Sequence, residues 1–220
     1  MLIETTLALR LLGISGIIGS ILFIVGDLLI NHIPGSQGSN ESRLSKIPES
    51  RLVNGGALGL VGCWFYTLAA FHLYIAFQPA GEVFAFILAL AFGATMISYG
   101  VAHAAYIAIP AGAQVAAKLG ADIESGGRLG WSFFLRLINI AYVPVAISSL
   151  MMLYAIVTGY SMYPRWMVVF LPTLLYYLRK PVVILFKGHL KEIIGHAYDN
   201  IILLVFFVLS TLVLWNGLAL

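Results

Sequence analysis

Residues 83–109, VFAFILALAFGATMISYGVAHAAYIAI, carry no Asp, Glu, Lys or Arg. About 20 apolar residues are enough to cross the roughly 30 Å hydrocarbon core of a bilayer as a helix. A segment this long and this apolar leaves a chain little choice of environment. The rest of the sequence repeats the pattern, with 61% hydrophobic and 10% charged residues. Soluble domains carry roughly 25% charged residues, so a soluble surface is out of reach. Strand alternation of the outer-membrane barrel type is absent, which leaves an all-α polytopic membrane helix bundle.

Six transmembrane helices are expected in a single domain covering residues 1–220, with spans at 7–30, 55–77, 83–109, 130–157, 166–186 and 193–215. The fifth is set by length. Trp166 to Leu178 is too short to cross, so the span extends to Phe186, with kinks at Pro172 and Pro181. The alternative is a short tilted helix followed by an interfacial segment, PVVILFKG. Glycines and small residues fall on one stripe in span one (Gly13, Gly16, Ser20) and in span two (Gly55, Gly59, Gly62), where two helices are expected to approach closely. The loop 31–50 and the loop after span three are long, and the second is expected to hold a short amphipathic helix.

The polar side chains inside the spans are not scattered. Asp27, Tyr99, His103, Tyr106 and Arg179 lie near the ends of odd spans, and Arg136, Asn139, His196, Asp199 and Asn200 near the starts of even ones. Odd spans end, and even spans begin, on one membrane face. These groups therefore share a leaflet, and His72 belongs to the other half. Ionisable groups in a membrane usually face the bundle interior and mark a functional site. His196 and Asp199 are spaced to share a helix face. Trp131, Trp166 and Trp215 fit an interfacial belt. His189, Lys187 and Lys191 fit contacts with lipid headgroups.

Three functions are compatible with such a pocket. The first is lipid binding or intramembrane lipid hydrolysis. In one version zinc is held by His103, His196, Asp199 and Asp27, which would also be the catalytic set, with an open position for water. In another, Arg136 and Arg179 hold a lipid phosphate while a His or Asp moves protons. Asn139, Tyr99, Tyr106 and Asn200 would be ligand contacts. The second is a proton-linked small transporter or channel, which a single chain with an apolar far leaflet does not readily build. The third is a structural or signalling subunit locked by internal ion pairs, such as Asp27 with Arg136. Membrane lipids are the expected partners, and a homo-oligomer is compatible with the second reading. Dispersed basic residues give no nucleic-acid surface.

The spacings Ser98-x-x-x-x-His103 and His196-x-x-Asp199 loosely resemble the ceramidase-like membrane hydrolases, which combine Ser-x-x-x-His with a late His-x-x-x-His. That resemblance implies metal-assisted lipid hydrolysis, although both spacings and the number of spans differ from that family's. GDLLINHIPG, the Ser/Gly-rich loop after it and RLVNGG resemble a small uncharacterised family of multi-span membrane proteins. That resemblance covers most of the chain and implies no activity.

Loops one, three and five carry Arg43, Lys46, Arg51, Lys118, Arg128, Lys187 and Lys191, against Arg10 and Arg165 on the other side. The positive-inside rule then puts both termini outside and the long loops in the cytoplasm. Single cysteines at Ser39 and at the C-terminus, in a Cys63→Ser background, test this in intact cells. An impermeant thiol reagent should label the C-terminus and spare position 39; the reverse pattern inverts the topology.

Overall fold

The computed structural model describes the backbone of residues 2–33 and 39–215, with side chains from Thr6 onward. Pro34–Gly38, in the first loop, lie outside the described residues. The chain is a helical membrane-type bundle, and no strand occurs among the described residues. Five helices are long and apolar enough to cross a membrane. They are α1 (Leu2–Asn31), α3 (Glu49–Ala76), α4 (Glu82–Tyr106), α6 (Ile123–Thr158) and α9 (Gly188–Val213). Their outward faces expose Leu11, Trp64, Phe71, Phe86, Leu90 and Ile140, a surface suited to lipid and not to water. The helices begin up to seven residues before the expected spans, because backbone hydrogen bonding continues past the apolar stretch.

The expected fifth span is the main correction. Residues 165–186 do not form one helix. They form a 3₁₀ turn (Arg165–Phe170), then α7 (Pro172–Tyr177) and α8 (Arg179–Ile184). Pro172 and Pro181 lack the N–H that would join these pieces, and the Pro172 ring disfavours helix at Leu171, which is extended. The segment still carries the chain along the bundle. Met162 N–H donates to the Ala76 carbonyl at one end, and Arg179 donates to the Gly195 carbonyl near the other. The first part of α1 meets the residues after α9 at the first of these ends, where Arg10 Nε donates to the Trp215 carbonyl at 2.7 Å and its guanidinium lies over the Trp215 ring.

The first loop holds α2 (Asn40–Leu44), and α5 (Ala108–Lys118) follows α4 after a break at Ile107. Leu44 and Ile47 pack with Ile30, Leu52 and Ile109 into a small second core at this end. Gln114 pins the loop by donating to the Ile47 carbonyl at 2.7 Å. Asp122 caps α6 by accepting from the Glu124 and Ser125 N–H groups. The hydrogen bonds from Ser125 hold the Asp122 carboxyl below the usual carboxylate range.

The packing order is α9–α1–α3–α4–α6. Helix α1 lies between α3 and α9, and α4 between α3 and α6. The α1–α3 crossing is made by glycine. A Cβ on Gly26 would stand 2.9 Å from the Gly55 carbonyl oxygen, and one on Gly19 would stand 3.0 Å from that of Gly62. Helices α6 and α9 close the series poorly; the 3₁₀ turn packs against both of them, while α7 and α8 lie against α9. Overpacking a tight contact typically costs about 1–3 kcal/mol. Gly55→Val, which meets both Ile30 and the Gly26 carbonyl, should therefore lower the unfolding temperature in detergent by several degrees. Gly93→Ala, where a Cβ finds only Ala70 at 3.9 Å, should leave it nearly unchanged. Equal effects at the two positions would remove the glycine crossing as the determinant.

Candidate functional site: a polar cavity at one end of the bundle

One residue past Gly26, α1 turns Asp27, and one turn later Asn31, toward the interior of the bundle. Facing it, α4 presents Tyr99, His103 and Tyr106, and α9 presents His196, Asp199 and Asn200. These side chains, with Arg179 and Tyr176 from the broken segment, line a cavity of about 400 Å³. Its remaining wall is a helical stripe of α6, from Trp131 through Phe134, Leu135 and Ile138 to Tyr142.

Asp27 ties three helices together. His103 Nδ1 lies 3.3 Å from its Oδ1, and Asn200 Nδ2 donates to its Oδ2 at 2.8 Å. His103 Nε2 lies 3.1 Å from the Gly55 carbonyl. A carbonyl only accepts, so Nε2 carries a proton. Nδ1 then faces a carboxylate oxygen, and the pair needs one further proton, on the ring or on the carboxyl. Behind Asp27 the network runs inward. The Tyr66 hydroxyl donates in a shared bond to Ser20 Oγ at 3.0 Å and Asn200 Oδ1 at 3.2 Å. Toward the end of the bundle, Tyr106 donates to Asn31 Oδ1 at 2.7 Å. On the far side of the cavity Arg179 pairs with Asp199 at 3.6 Å, and about half of the Asp199 side chain stays open. Among the described residues none hydrogen-bonds to the His196 ring, which lines the same space.

Two expected ligand contacts are absent from this wall. Arg136 and Asn139 are exposed on the outer side of α6. Each is one residue past a cavity residue, Leu135 or Ile138, and one residue turns a helix by about 100°. The suggested Asp27–Arg136 pair is therefore replaced by Asp27 with His103 and Asn200. Ser98 gives its hydroxyl to the Ala94 carbonyl of its own helix and does not line the cavity.

The four suggested zinc ligands do not gather as one set. Asp27 is engaged by His103 and Asn200, and Asp199 by Arg179. Among the described residues, three side chains of metal-binding type bring ligand atoms within 4.8 Å of one another at His32, His189 and Glu192 instead.

The sequence reading also missed wall residues. Asn31 is four residues after Asp27, a spacing that places it on the same face. Trp131, read as an interfacial belt residue, instead packs edge-on against Tyr106 and Phe134 and donates to Glu41 Oε1 at 3.0 Å.

A second cavity of about 150 Å³ adjoins the first. Tyr99, Tyr142, Tyr176, Asp199 and Leu203 line both. Its other walls are mainly apolar, including Phe92, Met96, Val145, Met152 and Ile202.

Residues 4–216 match the model of a family of unknown function, DUF6796, and the chain belongs to that family. No curated protein and no solved structure matches it, so the ceramidase-like resemblance gains no support.

Removing one member of a buried ion pair typically costs about 3–5 kcal/mol, because the other is left unpaired. Asp27→Leu and His103→Leu should each destabilise the protein strongly. The double variant should lose clearly less than the sum of the two, as a thermal-unfolding cycle in detergent would read. Strict additivity would mean that the two side chains are not coupled.

Proposed function

We propose that the protein binds a membrane lipid, with the headgroup in the polar cavity and an acyl chain in the apolar one. The observation that carries this reading is the shared wall. Tyr99, Tyr142, Tyr176 and Asp199 mark a boundary between a polar chamber and a greasy one, and an amphiphile has the same division. The gap between α6 and α9, spanned by the broken segment and not by a full helix, offers a sideways entry from the bilayer.

The charges favour a zwitterionic headgroup. Arg179 supplies a fork for a phosphate. Asp199 and the surrounding Tyr99, Tyr106, Tyr142, Tyr176 and Trp131 suit an ammonium group, which carboxylates and aromatic faces both attract. If lipid chemistry occurs, His196 and Asp199 are its best-placed groups. Both ring nitrogens of His103 are already engaged, whereas His196 and Asp199 face the open volume.

A through path is less well supported. A second polar network lies toward the other end. His72 Nδ1 donates to the Leu9 carbonyl at 2.9 Å, and Nε2 accepts from Ser210, which accepts from Tyr163. Tyr66 and His72 are six residues apart on α3, about 9 Å along the axis. Phe207 fills that interval against Gly16. The cavity is therefore better read as closed-ended.

Lipids retained through detergent purification test the proposal by mass spectrometry. Phosphatidylethanolamine or phosphatidylcholine should be retained over phosphatidylglycerol. A hydrogen bond to a charged group is worth about 1.5–3 kcal/mol, so Arg179→Leu should lower retention by about tenfold or more. Lys180→Leu should have little effect. Ser148→Phe, which narrows the apolar arm, should shift the bound species to shorter chains. A preparation without stoichiometric lipid, or one whose lipid is indifferent to Arg179→Leu and Ser148→Phe, would end this reading.

A further inference from the structure

One to two turns of α9 before His196, outside the cavity walls, a different set of side chains converges. His189 and Glu192 are spaced to share a face of α9, and His32 comes from the end of α1. We propose that His32, His189 and Glu192 form a divalent transition-metal site of the zinc class.

Three observations carry it. The first is convergence: one ligand atom from each residue lies within 4.8 Å of the other two. Two ligands about 2.0–2.1 Å from a tetrahedral ion sit roughly 3.3 Å apart, and His32 Nδ1 and Glu192 Oε2 are separated by 3.7 Å. The second is the state of those two atoms. Both are buried, and neither has a hydrogen-bond partner among the described residues. Buried polar atoms are normally satisfied, and 3.7 Å is too long for the two to satisfy each other. An ion between them would satisfy both. The third is rigidity. Arg51 Nη2 donates to the Leu28 carbonyl at 2.9 Å and the His32 carbonyl at 2.8 Å, which fixes the end of α1 opposite α9. The His32 and His189 rings meet edge to face with centroids 6.2 Å apart.

The donor set selects the ion. Two imidazoles and one carboxylate suit zinc and its neighbours. Calcium and magnesium take mostly oxygen ligands and more of them. Three protein ligands leave a fourth position for water or an incoming oxygen. His189 is exposed, so the site is reachable from outside the bundle.

The test uses full-length protein purified without a histidine tag, stripped with chelator and titrated with zinc against a chromophoric competitor. One zinc per chain is expected. Replacing a single ligand should weaken binding by more than the roughly 10–100-fold that second-shell changes cost. This should hold for His189→Gln, whose exposed side chain makes misfolding a poor explanation, and for His32→Gln and Glu192→Gln. Lys191→Gln and Asp199→Asn should bind like the parent. Cobalt in place of zinc should give visible bands that vanish in His189→Gln. The proposal is overturned by a chain that takes up no zinc, by unchanged affinity in His189→Gln, or by loss of zinc in Asp199→Asn, which would put the ion in the cavity.

Discussion

The carbonyl of Gly55 is the point from which the site is built. It faces Gly26 across the α1–α3 crossing, at a distance that leaves no room for a Cβ on either residue. It also lies 3.1 Å from His103 Nε2. One peptide group thus joins α1, α3 and α4. In a bilayer, lipid tails are as apolar as side chains, so helices associate through close packing and polar contacts. Both are concentrated here. Gly59 extends the requirement: a Cβ there would come within 2.2 Å of the His103 ring. Gly59 leaves the space in which the imidazole lies, and the Gly55 carbonyl holds its Nε2, so that the ring faces Asp27.

From Asp27 the constraint spreads to α9 through Asn200 and into the core through Tyr66 and Ser20. Asn200 has its amide nitrogen committed to Asp27 and its oxygen to Tyr66. This fixes the rotation of α9 about its axis, and Asp199 and His196 are carried with it to the cavity. A polar network inside a membrane bundle can be a simple lock between helices. Here it does more, because the same rotation leaves the neighbouring residues open to an adjoining space.

How much of this could be read from the sequence follows from geometry. The shared end of the bundle was legible because consecutive helices run in opposite directions, so the end of one lies beside the start of the next. Asp27, Tyr99, His103, Tyr106, His196, Asp199, Asn200 and Arg179 all fall there and line one cavity. Azimuth on α6 was less legible. Arg136 and Asn139 have the right depth but the wrong rotation, and an apolar wall residue such as Leu135 or Ile138 gives no signal of its own. His32 and Glu192 were passed over because they sit just outside the apolar runs, where polar residues are ordinarily solvated. Their convergence depends on how α1 and α9 cross, which no local spacing encodes. The break in the fifth span was half visible. Pro172 and Pro181 marked it, but a rule based on length favoured one helix.

That break is costly unless something accommodates it. Interrupted backbone leaves carbonyls and amides without helical partners, and at membrane depth it is tolerated only where protein or a polar cavity covers it. The structure meets the condition in detail. Thr173 is hydrogen-bonded to Ser149 of α6. The Leu175 carbonyl accepts from Tyr198 at 2.8 Å. Arg179 bonds to both Asp199 and the Gly195 carbonyl. The broken segment is thus held to α6 on one side and α9 on the other by polar contacts, and Met167 and Leu171 anchor its start in the main core. An unbroken helix in the same place would bury a continuous stripe and close the gap between α6 and α9. The short helices instead leave Tyr176 and Arg179 at the edge of a cavity and keep the wall thin where it faces the bilayer. Such a wall costs packing, and under the proposed lipid-binding reading its polar contacts are the ones that would have to open and re-form.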